Sequence, residues 1–264
     1  MGLTAQSTGI HAFLEELSHS PLKADAVVAL AGNPNTGKST VFNGLTGLNQ
    51  HTGNWPGKTV VLAKGNYRHK NKNITLVDLP GTYSLLANSA DEQVARDFIC
   101  FGDPDATVVV ADATCLERNL NLVLQVIEIT PKTILCVNLV DEAKRKRIAV
   151  DCPGLERSLG IPVIPTAARD KVGLTELKEA IHKVAFGLQS NQPKRIIYNE
   201  RLEAAIGRIQ GEVERLFQGK FNSRWVALRL LDGDPSIIHE MRNYLENGPG
   251  SKQNKIDGRG SGML

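Results

Sequence analysis

The octapeptide GNPNTGKS at residues 32 to 39 fits G-x-x-x-x-G-K-[ST], and its surroundings constrain the fold more than any other stretch of the chain. AVVALA (26 to 31) before it reads as a buried strand, and the segment after it reads as a helix. A loop in that setting turns successive backbone N–H groups and a helix N-terminus toward a phosphate chain, and its glycines let the backbone come close. Lys38 is then placed against the β- and γ-phosphates, and the Ser39 hydroxyl against Mg²⁺. Asn33, Asn35, Thr36, Gly37 and Thr40 complete the phosphate-binding wall. Taken alone, the motif fits an ATPase as well as a GTPase.

The rest of the chain supplies the architecture that such a loop needs. Short runs rich in Val, Ile and Ala alternate with longer mixed segments, the pattern of an α/β fold with a mainly parallel sheet. Six strands are expected: AVVALA, TVVLAKGNY (59 to 67), NITLVD (73 to 78), ATVVVAD (106 to 112), TILCVN (133 to 138) and PVIPT (162 to 166). The second and third are joined by the polar RHKNK and should form an antiparallel hairpin. After Leu188 the texture changes. SNQPKR reads as a link, and Leu202, Ile206, Ile209, Val213 and Leu216 form the stripe of an amphipathic helix. SRWVALRLL and DPSIIHEMRNYL read as two more helices, the last with Asp234 as N-cap and Pro235 in its first turn. The expected division is an extension at 1–24 with a helix around HAFLEELS, a nucleotide-binding domain at 25–188, a small all-helical domain at 189–248 and an unpatterned tail at 249–264.

Three further motifs narrow the ligand. DLPG (78 to 81) ends the third strand, so Asp78 can hold Mg²⁺ through a water and the Gly81 N–H can meet a γ-phosphate. NLVD (138 to 141) ends the fifth, placing Asn138 and Asp141 where the carboxylate can accept from N1–H and the 2-amino group of guanine, a donor pair absent from adenine. Thr166, Ala167 and Ala168 follow the sixth, where a backbone N–H can donate to the guanine O6. HTGNWPGKTVV (51 to 61) lies between the phosphate loop's helix and the next strand. It reads as a switch loop, with Gly57 beside the nucleotide and Thr59 completing the Mg²⁺ shell when a γ-phosphate is present. Trp55 either belongs to that switch or packs into the core.

Composition excludes several classes. No apolar run approaches the roughly 18 residues of a membrane helix, and the formal charge of +3 gives no case for nucleic acid. The runs KRKR (144 to 147) and RHKNK (68 to 72) read as solvated edges, with a basic face toward phospholipid or RNA as the lesser alternative. Cys100, Cys115, Cys136 and Cys152 show no metal-ligand spacing and read as reduced packing residues. The N-terminus carries no export signal.

GNPNTGKST, TGNWPGKTV, DLPGTYSL and NLVD in this order, followed by RWVALRLLDGD, resemble the cytoplasmic N-terminal region of the ferrous iron transport protein B (FeoB) family over residues 25 to 245. The resemblance implies a Ras-like P-loop GTPase domain followed by a helical domain that modulates GDP binding. It implies Mg²⁺ and GTP or GDP as ligands, K⁺ as an activator held by Asn35, and a catalytic set of Lys38, Thr59, Gly81 and Asn35. An Asn tolerated in a tight turn is the plainer account of Asn35. Further implications are a C-terminal transmembrane Fe(II) permease region, small accessory transport proteins, a homo-oligomer, and a place on the cytoplasmic face of the bacterial inner membrane. Thr82 stands where many GTPases carry a water-orienting Gln, so slow hydrolysis is expected. Leu139 stands where the commoner guanine motif has Lys, and Lys58 at a position usually apolar in the family. The alternatives are a soluble ribosome- or tRNA-associated GTPase and a GTP-gated interaction module with little turnover.

Overall fold

The computed structural model describes residues 24–48, 50–55, 58–86 and 89–247. Its strands are β1 (Ala26–Gly32), β2 (Gln50–Asn54), β3 (Val61–His69), β4 (Lys72–Asp78), β5 (Ala106–Asp112), β6 (Thr133–Asn138) and β7 (Val163–Pro165). They form one sheet in the order β2-β3-β4-β1-β5-β6-β7, with only the β2–β3 and β3–β4 pairings antiparallel. The sheet therefore has seven strands where the sequence suggested six. The addition is β2, from a stretch read as loop, whose residues Gln50 to Asn54 pair with Gly65 to Val61. QHTGN carries no apolar alternation, so nothing local marks it as a strand; the open edge of β3 supplies the pairing. β3 also begins at Val61, two residues later than expected, and runs to His69. The expected hairpin is present, turning on Lys70 (φ 47°) and Asn71 (φ 61°), a pair with both angles positive, as the right-handed twist of a two-residue hairpin favours.

Helices cover both faces: α1 (Lys38–Thr46), α2 (Ala90–Phe101), α3 (Leu116–Ile129), α4 (Val140–Arg145), α5 (Cys152–Leu159) and α6 (Leu174–Ala185). The two-residue period of the strands sorts side chains between the faces. Val28 and Leu30 of β1 join Phe42, Leu45, Leu177 and Ile181 beneath α1 and α6. Ala29 and Ala31 face the other way, toward Phe98, Leu122 and Val126 of α2 and α3. Cys100, Cys136 and Cys152 are buried and Cys115 is exposed, all four as free thiols.

Three helices follow a segment without regular structure: α7 (Glu200–Phe217), α8 (Ser223–Asp232) and α9 (Pro235–Asn247). Asn199 and Asn222 cap α7 and α8 through their side chains, and Asp234 Oδ1 accepts from Ser236 N at 2.9 Å at the start of α9. The buried stripe of α7 differs from expectation at its end: Ile206, Val213 and Phe217 are buried, whereas Leu216 is 60% exposed. Phe217 takes that place because it packs edge-on to Phe221, which in turn meets Phe101 at the end of α2. The helical segment thus rests on the α2–α3 face and shares one core with it. The helix expected around HAFLEELS and the 249–264 tail lie outside the described residues.

Candidate functional site

β4, β1, β5 and β6 are parallel neighbours in that order, so Gly32, Asp78 and Asn138 all sit at the carboxyl edge of the parallel sheet. That edge is where open α/β sheets present their ligand crevice. The loop leaving β1 is folded tightly. Thr36 Oγ1 donates to Asn33 O at 2.9 Å, Asn35 and Gly37 take positive φ angles of 66° and 79°, and α1 begins directly after them. Gly32 needs its missing side chain, since a Cβ there would lie 2.7 Å from Val110 O. Gly37 gives the first-turn amides of α1 no side-chain cap, and Ser39 and Thr40 are exposed at the same helix start. Asn33 Oδ1 is buried with no hydrogen-bond partner among the described residues, an acceptor left open in the phosphate loop.

Lys38 lies across the loop. Its Nζ is paired with the Asp78 carboxylate and donates to Leu79 O at 2.6 Å. Burial pushes the Asp78 carboxyl upward, and the Lys38 charge beside it opposes that shift. The DLPG segment then runs against the phosphate loop: Thr82 N donates to Gly32 O at 3.2 Å, and a Cβ at Gly81 would lie 3.5 Å from Pro34. Thr82 itself is buried, and its hydroxyl donates to Ser84 O at 2.6 Å. Its side chain is turned inward and bonded within its own loop, whereas the neighbouring Gly81 is exposed.

Asn138 braces the base side. Its Nδ2 donates to Thr36 O at 3.0 Å, while Oδ1 accepts from Thr166 Oγ1 and Ala168 N, both at 3.1 Å. The side chain is 1% exposed, so it ties the phosphate loop to the loop after β7 from within. Leu139 follows in the left-handed region (φ 63°), and the turn it makes puts Asp141 in the first turn of α4, partly exposed and 3.2 Å from Arg145. The three amides expected to offer a donor to a base are occupied within the chain. Thr166 N donates to Val137 O at 2.7 Å, Ala167 N to Val172 O at 3.2 Å, and Ala168 N to Asn138. Ala167 has the longest of these bonds, on an isolated bridge to Val172.

The segment read as a switch loop is anchored on α2. Trp55 is 2% exposed and lies edge-on to Phe98, which decides for core packing. Lys58 Nζ reaches Gln93 Oε1 at 3.1 Å and Asp97 Oδ2 at 3.4 Å. Thr59 is exposed, and Gly57 lies outside the described residues. No spacing rule foretells the tie between Lys58 and α2, whose partners Gln93 and Asp97 lie 35 and 39 residues away.

Comparison with known proteins agrees with this geometry. The model of the family described as ferrous iron transport protein B matches residues 26–181, and that of the FeoB cytosolic helical domain matches 198–257. The Fe(2+) transporter FeoB of Escherichia coli is 39% identical over 213 residues, 78% of this chain and 27% of that protein. An Fe(2+) transport protein A/FeoB fusion protein of Porphyromonas gingivalis is 36% identical over 214 residues, 80% of this chain and 25% of that protein. The chain spans about a quarter of the length of these relatives. Among solved structures, the cytosolic domain of the Thermotoga maritima FeoB iron transporter in a GDP form is 36% identical with a TM-score of 0.75, covering 90% of this chain and 94% of that one. The isolated G domain of the same transporter is 46% identical with a TM-score of 0.58, over 61% of this chain and 98% of that one.

Proposed function

The chain belongs to the ferrous iron transport protein B family, and from that premise we propose that it binds and hydrolyses GTP as the cytoplasmic regulatory part of a bacterial Fe(II) transporter. Its domain limits on this proposal are 25–188 for the G domain and 189–248 for the helical one, flanked by an extension at 1–24 and a tail at 249–264. Asn138 carries the conclusion: one buried amide joins the phosphate loop to the loops that would hold a base. Asn33, Asn35, Thr36, Gly37, Lys38, Ser39, Thr40 and Gly57 surround the phosphates. Asp141 reads the guanine edge, with Thr166, Ala167 and Ala168 lining it and Ala167 N–H released toward O6.

The Asp78 carboxylate already holds a cation, the Lys38 ammonium, so its chemistry fits a divalent ion. With nucleotide bound, Lys38 would move from Asp78 and Leu79 O to the phosphate oxygens, and the Asp78 carboxylate, through a water, and the Ser39 and Thr59 hydroxyls would hold Mg²⁺. Mg²⁺ supplies charge neutralisation at the phosphates. Asn35, held in the left-handed region and exposed, offers a neutral oxygen for K⁺, and the Gly81 N–H meets the γ-phosphate. Hydrolysis is slow because Thr82 is turned inward and orients no water. The remaining partners proposed are the protein's own transmembrane Fe(II) permease region, small accessory transport proteins and a second copy of the chain, with no nucleic acid, at the cytoplasmic face of the inner membrane.

The test is steady-state GTP hydrolysis in matched K⁺ and Na⁺ buffers with ATP as competitor, run on the wild type and on Asp141→Asn. Turnover stimulated by K⁺, unaffected by ATP and lost in the variant with xanthosine triphosphate restoring it, is the expected result. GTP binding with no turnover in either salt, also in the presence of the membrane region, would leave a GTP-gated switch instead. The inward Thr82 is the observation that favours this second reading.

A further inference from the structure

A chain of charges runs from the loop before β3, through α2, to the first turn of α9. Arg96 is fully buried in α2, and Asp97 beside it is 3% exposed. Arg96 Nε and Nη2 donate to Asp97 Oδ1 at 2.9 and 2.6 Å. Its Nη1 points the other way and donates to Asp234 Oδ2 at 3.2 Å and Ser236 Oγ at 2.8 Å, in the helical domain. From the nucleotide side, Lys58 Nζ meets Asp97 Oδ2 at 3.4 Å and Gln93 Oε1 at 3.1 Å. Two cations and two carboxylates thus make a neutral cluster, with Lys58 as the only member on the switch loop.

We propose that Lys58 is a positioning residue that reports the state of the switch loop to the helical domain, acting through Asp97, Arg96 and Asp234. The proposal rests on the GTPase reading for the event that moves the loop. Lys58 and Thr59 are chain neighbours, their Cα atoms about 3.8 Å apart, so drawing the Thr59 hydroxyl to a γ-phosphate site pulls Lys58 with it. The 3.4 Å contact to Asp97 is the longest in the cluster and parts first. A buried cluster that loses one cation is left with a net negative charge, which a low-dielectric interior does not tolerate well. Arg96 must then serve two carboxylates alone. Its bonds to Asp97 are shorter than its bond to Asp234, so the Asp234 side yields. Asp234 also accepts from Ser236 N and Ile237 N, and a disturbed Asp234 therefore uncaps α9. Movement of the loop near the nucleotide loosens the start of a helix in the other domain.

The experiment is amide hydrogen exchange over residues 234–241 in the wild type, Lys58→Met and Lys58→Arg, each without nucleotide, with GDP, and with Mg²⁺ and a non-hydrolysable GTP analogue. Wild type should exchange there about five- to 150-fold faster with the analogue than with GDP, the span of a typical coupling energy. Lys58→Met should exchange fast in all three states, and Lys58→Arg should restore the difference. Equal exchange in wild type and Lys58→Met without nucleotide overturns the proposal, as does a full nucleotide response in Lys58→Met. Fluorescent-nucleotide binding by the same samples separates the two readings. If the analogue does not bind, the GTPase reading fails, and the nucleotide-free comparison still decides whether Lys58 holds the cluster.

Discussion

Asn138 shows how much one side chain can carry. It donates once and accepts twice with almost no exposure, so truncation strands Thr36 O and Ala168 N inside the protein. Leaving a buried polar group unpaired costs about 1–3 kcal/mol. Asn138→Ala is expected to lose about 2–4 kcal/mol of stability on that basis, read as a lowered urea midpoint, and to weaken GTP binding at least tenfold, read by calorimetry. A normal midpoint with weakened binding would mean that Asn138 touches the ligand instead of bracing the loops. At this scale the sequence is legible where a motif fixes a residue to the end of a strand, as for Asp78 and Asn138, or to the start of a helix, as for Lys38. It is silent about Lys58, because the partner Asp97 lies 39 residues away and no local pattern orders that contact. The bracing role of Asn138 is likewise invisible, since the motif gives its position and not the direction of its amide.

Within the helical domain, α7 and α8 are held by a guanidinium–carboxylate fork. Arg224 donates to both oxygens of Glu203, at 2.7 and 2.8 Å, and to Ile196 O at 3.0 Å, while Tyr198 N donates to Glu203 at 2.9 Å. The Arg224 hydrogen bonds, and then the one from Tyr198, bring the Glu203 carboxyl down from 4.5 to about 2. A group whose folded pKa is depressed stabilises the fold above its unfolded pKa, and that contribution disappears as pH falls through the folded value. Wild type should therefore be more stable than Glu203→Gln at pH 7, with the gap closing between pH 4.5 and about 2. Urea midpoints of both proteins across that window check it, and added salt should narrow the gap because the pair is partly exposed. Elements themselves are legible to different degrees. Helices with an apolar stripe and an Asn or Asp cap stand out in the sequence, whereas β2 does not, because its only reason to be a strand is the neighbour it pairs with.

At the scale of the whole molecule, the question is whether the two domains unfold as one. Phe101 closes α2 and meets Phe221 edge-on at 5.2 Å, and Phe217 meets Phe221 at the same separation. Trp225, Val226 and Ile237 join this cluster, and Asn222 and Tyr198 hydrogen-bond to Glu128 at the end of α3. A seam built from buried aromatic packing, with polar bonds at its margin, is more like a domain core than like a sliding contact. The sequence places an amphipathic helix here, but it cannot say that the apolar face is spent on the neighbouring domain, since a stripe is the same whatever covers it. Phe221→Ala should remove about 3–5 kcal/mol, as large aromatic truncations in cores do. The chain has two tryptophans, Trp55 beside the switch loop and Trp225 in the seam, so Trp55→Phe leaves Trp225 as the sole fluorescent reporter. In that background, fluorescence and far-ultraviolet circular dichroism should follow one urea transition, shifted as a whole to lower urea by Phe221→Ala. Two separated transitions, with fluorescence moving first, would mean that the helical domain unfolds on its own and that Phe101 and Phe221 contribute to docking without joining the domains into one cooperative unit.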